Sequence, residues 1–321
     1  MSFLARVREA DPIAVLIAVL GIFVLVYLVM FVRALARDAR SGTTILSPVR
    51  LWVISFIANF LDTLGIGSYA TTTSMVRFFK LIPDEKIPGS LNVGYVLPTV
   101  AEAFLFIYGF RGLVTVEPVQ VDPRTLISLI GAAILGAWLG AGVVSSWPRR
   151  KIQIGMGLCL LAAAAIMLVR LTVFHSLTVG STSLIGARWV LGLGGLFVLG
   201  ALMTLGIGLY APCLILVTML GMTERSAFPI MMGACAFLMP VAVARFIRAR
   251  AYYPPAMLGM ALAGIPAVLL AVKWFQNLSM TYVKVLVIVV VTYTAVSMLL
   301  AARRERSEAM AASAPREVQA T

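Results

Sequence analysis

The sequence predicts an all-α polytopic membrane protein: one leading helix, then two homologous repeats, inverted relative to each other, whose helices are interrupted by glycine and so broken or re-entrant. Three observations predict it. Hydrophobic residues make up 61% of the 321 and charged residues 12%, with a mean hydropathy of +1.01, whereas a soluble domain carries about a quarter charged residues. The apolar residues gather in windows about twenty residues long, the length an α-helix needs to cross the hydrocarbon core. A glycine-rich motif recurs later in the chain within similar flanks. Short segments of alternating polarity, the mark of a transmembrane β-barrel, do not occur.

Nine apolar segments follow in order: 13–33, 49–79, 88–110, 125–147 and 152–174, then 188–221, 227–247, 256–275 and 281–302. The first, preceded by Arg6 and Arg8, is too long for a signal-peptide core and no small-residue cleavage site follows it, so it reads as a retained helix. Residues 1–43 form this leading helix and a basic loop, 44–180 the first repeat, 181–302 the second, and 303–321 a polar, disordered tail. The formal net charge of +13 would suggest nucleic acid in a soluble protein. Here the basic residues sit in short loops at the ends of apolar runs, as in Arg33, Arg37, Arg40 and Arg149, Arg150, Lys151, where they orient the chain and meet anionic headgroups. Cys159, Cys213 and Cys235 lie inside apolar runs without metal-ligand spacing and read as small buried side chains.

Segments 49–79 and 188–221 are too long for one simple crossing, and each has glycine in its middle. Thr63-Leu64-Gly65-Ile66-Gly67 in the first corresponds to Thr204-Leu205-Gly206-Ile207-Gly208 in the second. The offset is 141 residues, and Pro88 and Pro229 keep it. Such a match in register is an internal repeat. With the tail residue Arg316 left out, 16 basic residues fall on the cytoplasmic side and 9 on the other if both long segments re-enter rather than span; if every segment spans, the division is 14 to 11. The positive-inside rule therefore favours re-entrant segments and inverted repeats.

Two breaks at matching positions point to a cavity, because unpaired backbone groups in hydrocarbon cost several kcal/mol each. Gly65, Gly67, Gly206 and Gly208 let the backbone turn and approach a ligand, and half-helix N-termini aim amides at an anion. The competing reading of Gly-x-Gly is a packing notch between helices. The polar groups near the breaks are Asn59, Thr63, Ser68, Tyr69, Thr71, Thr72, Thr73 and Ser74, with Thr204 and Tyr210 from the second motif and Asn92 on the following segment. For the threonines the alternative is back-bonding to helix carbonyls. Asp62 and Glu102 are acids within apolar sequence, which usually face a cavity or a partner. They are candidates for coupling transport to an ion, or for an ion pair with Arg77 or Arg245.

On these paired motifs the chain resembles the TauE/SafE sulfite-exporter family of membrane permeases over residues 48–302. Gly65-Ile66-Gly67 and Gly206-Ile207-Gly208 match the start of that family's signature, while Ser68-Tyr69 and Leu209-Tyr210 replace its further glycines. The resemblance implies transport of a sulfur-containing or organic anion, such as sulfite or a sulfonate, driven by an ion gradient across a bacterial inner membrane. The partners expected are that anion and the lipid bilayer, with a homodimer as a candidate assembly and no nucleic acid. No catalytic constellation, metal site or cofactor is predicted: the one histidine, His175, ends a segment, so His-based metal sites and Ser-His triads are excluded. A channel or a membrane assembly protein without transport activity is the alternative.

Overall fold

The computed structural model describes residues 11–109, 117–144, 149–172, 180–203 and 209–313. Within them lie twelve α-helices, which we number in chain order. α1 (Pro12–Arg40) leads. α2 (Val49–Thr63), α3 (Ser68–Phe78), a 3-10 turn (Asp84–Lys86), α4 (Ile87–Gly94), α5 (Val96–Ile107), α6 (Pro123–Val144) and α7 (Arg149–Thr172) follow. Then come α8 (Gly186–Met203), α9 (Tyr210–Met219), a 3-10 turn (Glu224–Ser226), α10 (Ala227–Arg248), α11 (Pro254–Gln276) and α12 (Met280–Ser313). Six helical stretches among the described residues are long and apolar enough to cross a membrane: α1, 84–107, α8, 224–248, α11 and 285–304 of α12.

α1 starts at Pro12, whose missing N–H is no loss in a first turn, and the Asp11 carboxylate accepts from the Ile13 N–H at 3.0 Å. Its spanning stretch has a mean hydropathy of 3.2 and only 17% of it is buried, so most of its surface is left for lipid. Three contacts tie it down. The Tyr27 hydroxyl donates to the Val93 carbonyl at 2.8 Å, Phe23 meets Phe237 edge-on, and Arg37 and Asp38 both bond the Tyr252 hydroxyl.

The core is centred on α10, whose stretch 224–248 is 83% buried and which packs against α1, α4, α5, α6 and α9. Around it α6 packs most extensively on α8, α7 on α12 and α2 on α11. Small residues make these approaches close. A Cβ on Gly136 of α6 would overlap the Phe197 carbonyl of α8, and a Cβ on Gly200 of α8 would overlap the Ala133 carbonyl of α6.

Loop contacts define two ends of the bundle. At one, the Arg50 guanidinium lies 5.9 Å from the centre of the Phe79 ring, Tyr253 donates its N–H to Ser90, and Tyr252 meets Arg37. At the other, Ser181 donates its N–H to the Gly221 carbonyl and Thr223 to that of Ser181. Arg225 there donates to the Leu278 carbonyl, and Asp122 donates its N–H to Thr182. α10 and α11 run between these ends.

Two details depart from the sequence reading. Segment 49–79 is two helices separated at 64–67, as its glycines suggest, but segment 88–110 is also divided, at Tyr95. The cause is Pro98: it has no N–H for the Gly94 carbonyl four residues back, and its ring crowds that carbonyl. Second, α12 runs on to Ser313, through the start of the tail expected to be disordered. Arg, Glu, Met and Ala, which dominate 303–312, are strong helix formers.

Candidate functional site

α2 ends in a left-handed turn. Gly65, at φ +92°, donates its N–H to the Asp62 carbonyl at 2.7 Å, and Ile66 donates to Leu61. Gly67, at φ +88°, is the residue before α3. A side chain is strained at both positions, which is why glycine stands there. Gly65 lies against Phe228 and Met231 of α10, within 3.7 Å of where its Cβ would be. The turn leaves the N-terminus of α3 deep in the protein, and Asp62 covers it: one carboxylate oxygen accepts from the Ser68 N–H and the other from the Ser68 hydroxyl, each at 2.8 Å.

Glu102, on α5 and fully buried, joins distant parts of the chain. Thr63, the last residue of α2, lies 2.8 Å from its Oε1, and Tyr210, the first residue of α9, donates to its Oε2 at 3.1 Å. Beside it, the Tyr95 hydroxyl is within 2.8 Å of the Thr72 hydroxyl and 3.3 Å of the Ser55 hydroxyl.

The expected residues therefore separate into groups. Asp62, Thr63, Gly65, Gly67, Ser68, Glu102 and Tyr210 meet around the first break and its link to α9. Asn59 is fully buried nearby; its amide nitrogen donates to the Ser55 carbonyl and its side-chain oxygen has no partner. The Tyr69 hydroxyl is likewise buried without a partner. Thr71 back-bonds to the Gly67 and Ser68 carbonyls, the alternative weighed for the threonines. Asn92 donates to the Pro88 carbonyl on its own helix, and no side-chain bond joins it to the others. Thr204, Gly206 and Gly208 lie outside the described residues. Ser55 and Tyr95 are additions: a serine inside an apolar helix and a tyrosine three residues before a proline give no periodic signal.

The alternative in which the two acids pair with arginines is not what the structure has. Among the described residues the ion pairs are Arg37–Asp38 and Arg77–Asp84, and Arg245 is exposed. No group of three or more metal-ligating side chains is present among those residues. Near the end of α3 a cavity of about 520 Å³ is lined by Arg77, Lys80, Asp84 and Tyr253, at the same end of the bundle as Arg37 and Arg50.

Against known proteins, a family profile described as Sulfite exporter TauE/SafE matches residues 117–298. No curated protein and no solved structure matches the chain.

Proposed function

This chain belongs to the TauE/SafE sulfite exporter family, and on that premise we propose that it carries a small oxyanion, sulfite or a sulfonate, through a pocket formed where its two glycine motifs meet. The observation that carries this reading is the Glu102 carboxyl, held by Thr63 at the first break and by Tyr210 two residues past the second motif. Broken helices meeting near midplane are how many repeat-built transporters bind substrates, with amides and dipole ends turned to the charged group. The proposed pocket takes Asn59, Thr63, Gly65, Gly67, Ser68, Tyr69 and Thr71 from one motif. Thr204, Gly206, Gly208 and Tyr210 complete it from the other. The unpartnered Tyr69 hydroxyl supports it, since a buried donor without an acceptor calls for one. Asn92, partly exposed and bonded to none of these residues, is left out.

The transporter we propose is built from inverted repeats. The meeting of Arg50 with Phe79 at one end, and of Ser181 with Gly221 at the other, supports two helix–break–helix hairpins entering from opposite faces. The exchange of partners, α2 with α11 and α8 with α6, supports a two-fold relation between them. The basic end, with Arg37, Arg50, Arg77 and Lys80, is then cytoplasmic in a bacterial inner membrane, and its cavity serves as an anion vestibule.

Purified protein in proteoliposomes tests the reading. Saturable sulfite or sulfonate flux that responds to an imposed proton gradient is expected. Flux linear in concentration would make the protein a channel, and no flux with sulfite, sulfonates, sulfate or carboxylates would overturn transport.

A further inference from the structure

We propose that Glu102 holds a proton in this closed arrangement and is the group that releases it during transport, whereas Asp62 is a permanent cap; this rests on the transporter reading above. The basis is a count of hydrogens. The Asn59 carbonyl, the Thr63 hydroxyl and Glu102 Oε1 form a chain of three oxygens with both gaps at 2.8 Å. A carbonyl only accepts, and a hydroxyl supplies one hydrogen. The carbonyl four residues back is the usual partner of a helical threonine, so Thr63 gives its hydrogen to Asn59. With that hydrogen committed to Asn59, the second gap closes with a hydrogen on Oε1, whereas a carboxylate there would draw the Thr63 hydrogen to itself. Oε2 meanwhile accepts from the Tyr210 phenol. The carboxyl is 0% exposed and takes no part in an ion pair among the described residues, and an uncompensated buried charge is costly.

Asp62 is built differently. One of its oxygens faces a backbone N–H, which can only donate, and both lie at the N-terminus of α3, where the helix dipole favours negative charge. The other titratable groups on the elements around Glu102 are Tyr27 on α1, Tyr69 on α3, Tyr95 at the α4–α5 junction, Tyr210 and Cys213 on α9 and Cys235 on α10, while the charged Arg33, Arg37, Asp38 and Arg40 of α1, Arg50 of α2, Arg77 of α3 and Arg245 and Arg248 of α10 lie towards the helix ends. α11 offers only Lys273, near its far end. Of these, Tyr210 alone bonds Glu102.

In the step itself the Oε1–H bond breaks and the proton passes to water admitted with the anion. The carboxylate left behind keeps the Tyr210 bond and draws the Thr63 hydrogen away from Asn59. That hydrogen cannot serve both, so the Asn59 carbonyl keeps only its helical bond from the Thr63 N–H. A hydroxyl that can turn either way makes this change possible without moving a backbone atom.

Infrared difference spectra of the whole protein in lipid, recorded between mildly acidic and mildly alkaline pH, test this without transport. The carbonyl stretch of a buried protonated carboxyl is expected, shifted in D2O and lost in Glu102→Gln. It should persist in Asp62→Asn. In Thr63→Val, which removes the acceptor and leaves the acid, it should move to higher frequency. Absence of such a band, its persistence in Glu102→Gln, or an unmoved band in Thr63→Val would overturn the proposal. Absence of sulfite flux in the same proteoliposomes would overturn the transporter reading and leave the protonation standing.

Discussion

The carboxylate of Asp62 takes both hydrogen-bond donors of Ser68, six residues on, the N–H on one oxygen and the hydroxyl on the other. It is a helix cap set inside a membrane protein, and its loss has a measurable cost. Ser68→Ala removes one of the two bonds and is expected to cost about 1 kcal/mol. Asp62→Ala removes both bonds and should cost more, about 2–3 kcal/mol. Thermal unfolding of the detergent-solubilised variants checks the order; equal stability for both would remove the cap.

Gly65 and Gly67 stand at left-handed backbone angles, while Gly194 lies mid-helix in α8 with open space where a Cβ would go. Gly65→Ala and Gly67→Ala should each lose about 1–2 kcal/mol. Gly194→Ala should be neutral or slightly stabilising, since alanine is the better helix former. Unfolding midpoints of the three variants side by side make the comparison.

Lys80 and Arg225 are expected on opposite faces of the membrane. Each lies in the connection that follows a helix–break–helix unit, and the two connections sit at different ends of the bundle. Cysteine substitutions at both positions, labelled with an impermeant reagent in intact and opened vesicles, decide it. Labelling from one side only would favour parallel repeats.

Tyr252, in the loop between α10 and α11, holds the end of α1 through Arg37 and Asp38. Burial, reinforced by its bond to Asp38, pushes the phenol up to about 12 from its usual 10. A raised acid keeps its proton longer in the folded protein than in the unfolded chain, so its contribution is whole below pH 10 and falls as pH rises towards about 12. Stability followed across that interval should drop, and Tyr252→Phe should lose that part of the dependence.

Uptake should divide the two acids. Glu102→Gln is expected to flatten the pH profile of sulfite uptake, because the titrating group is gone. Asp62→Asn should lower the rate through its loosened cap and keep the parent's profile. Proteoliposome uptake over a pH series reads both.

The first break, Asp62, Thr63, Glu102 and Tyr210 could be read in advance because their signals are local and unusual: paired glycines, and acids within apolar runs. The hydroxyl group that Thr72 forms with Ser55 and Tyr95 could not. Its members come from three elements at irregular spacing, and only packing brings them together. Pro98 was visible, yet whether a helix bends through a proline or stops four residues earlier depends on its neighbours. α10 runs unbroken through Pro240 while α4 ends at Gly94. Asn92 looked equivalent to Asn59 as a polar side chain in an apolar run, and both amides donate to the carbonyl four residues back; what separates them is burial, complete for Asn59 and partial for Asn92.

The exchange of partners between α2 and α11, and between α6 and α8, bears on how the chain is made. When α2 leaves the ribosome its partner has not yet been translated, and Asn59, which a side chain on Gly264 of α11 would strike, has no cover. An early helix with an acid and an amide on its unpaired face is a poor resident of lipid. It must wait beside the insertion machinery or borrow a chaperone's surface until α11 arrives. A chain stopped after residue 180 would then be degraded as an orphan rather than persist as half a transporter.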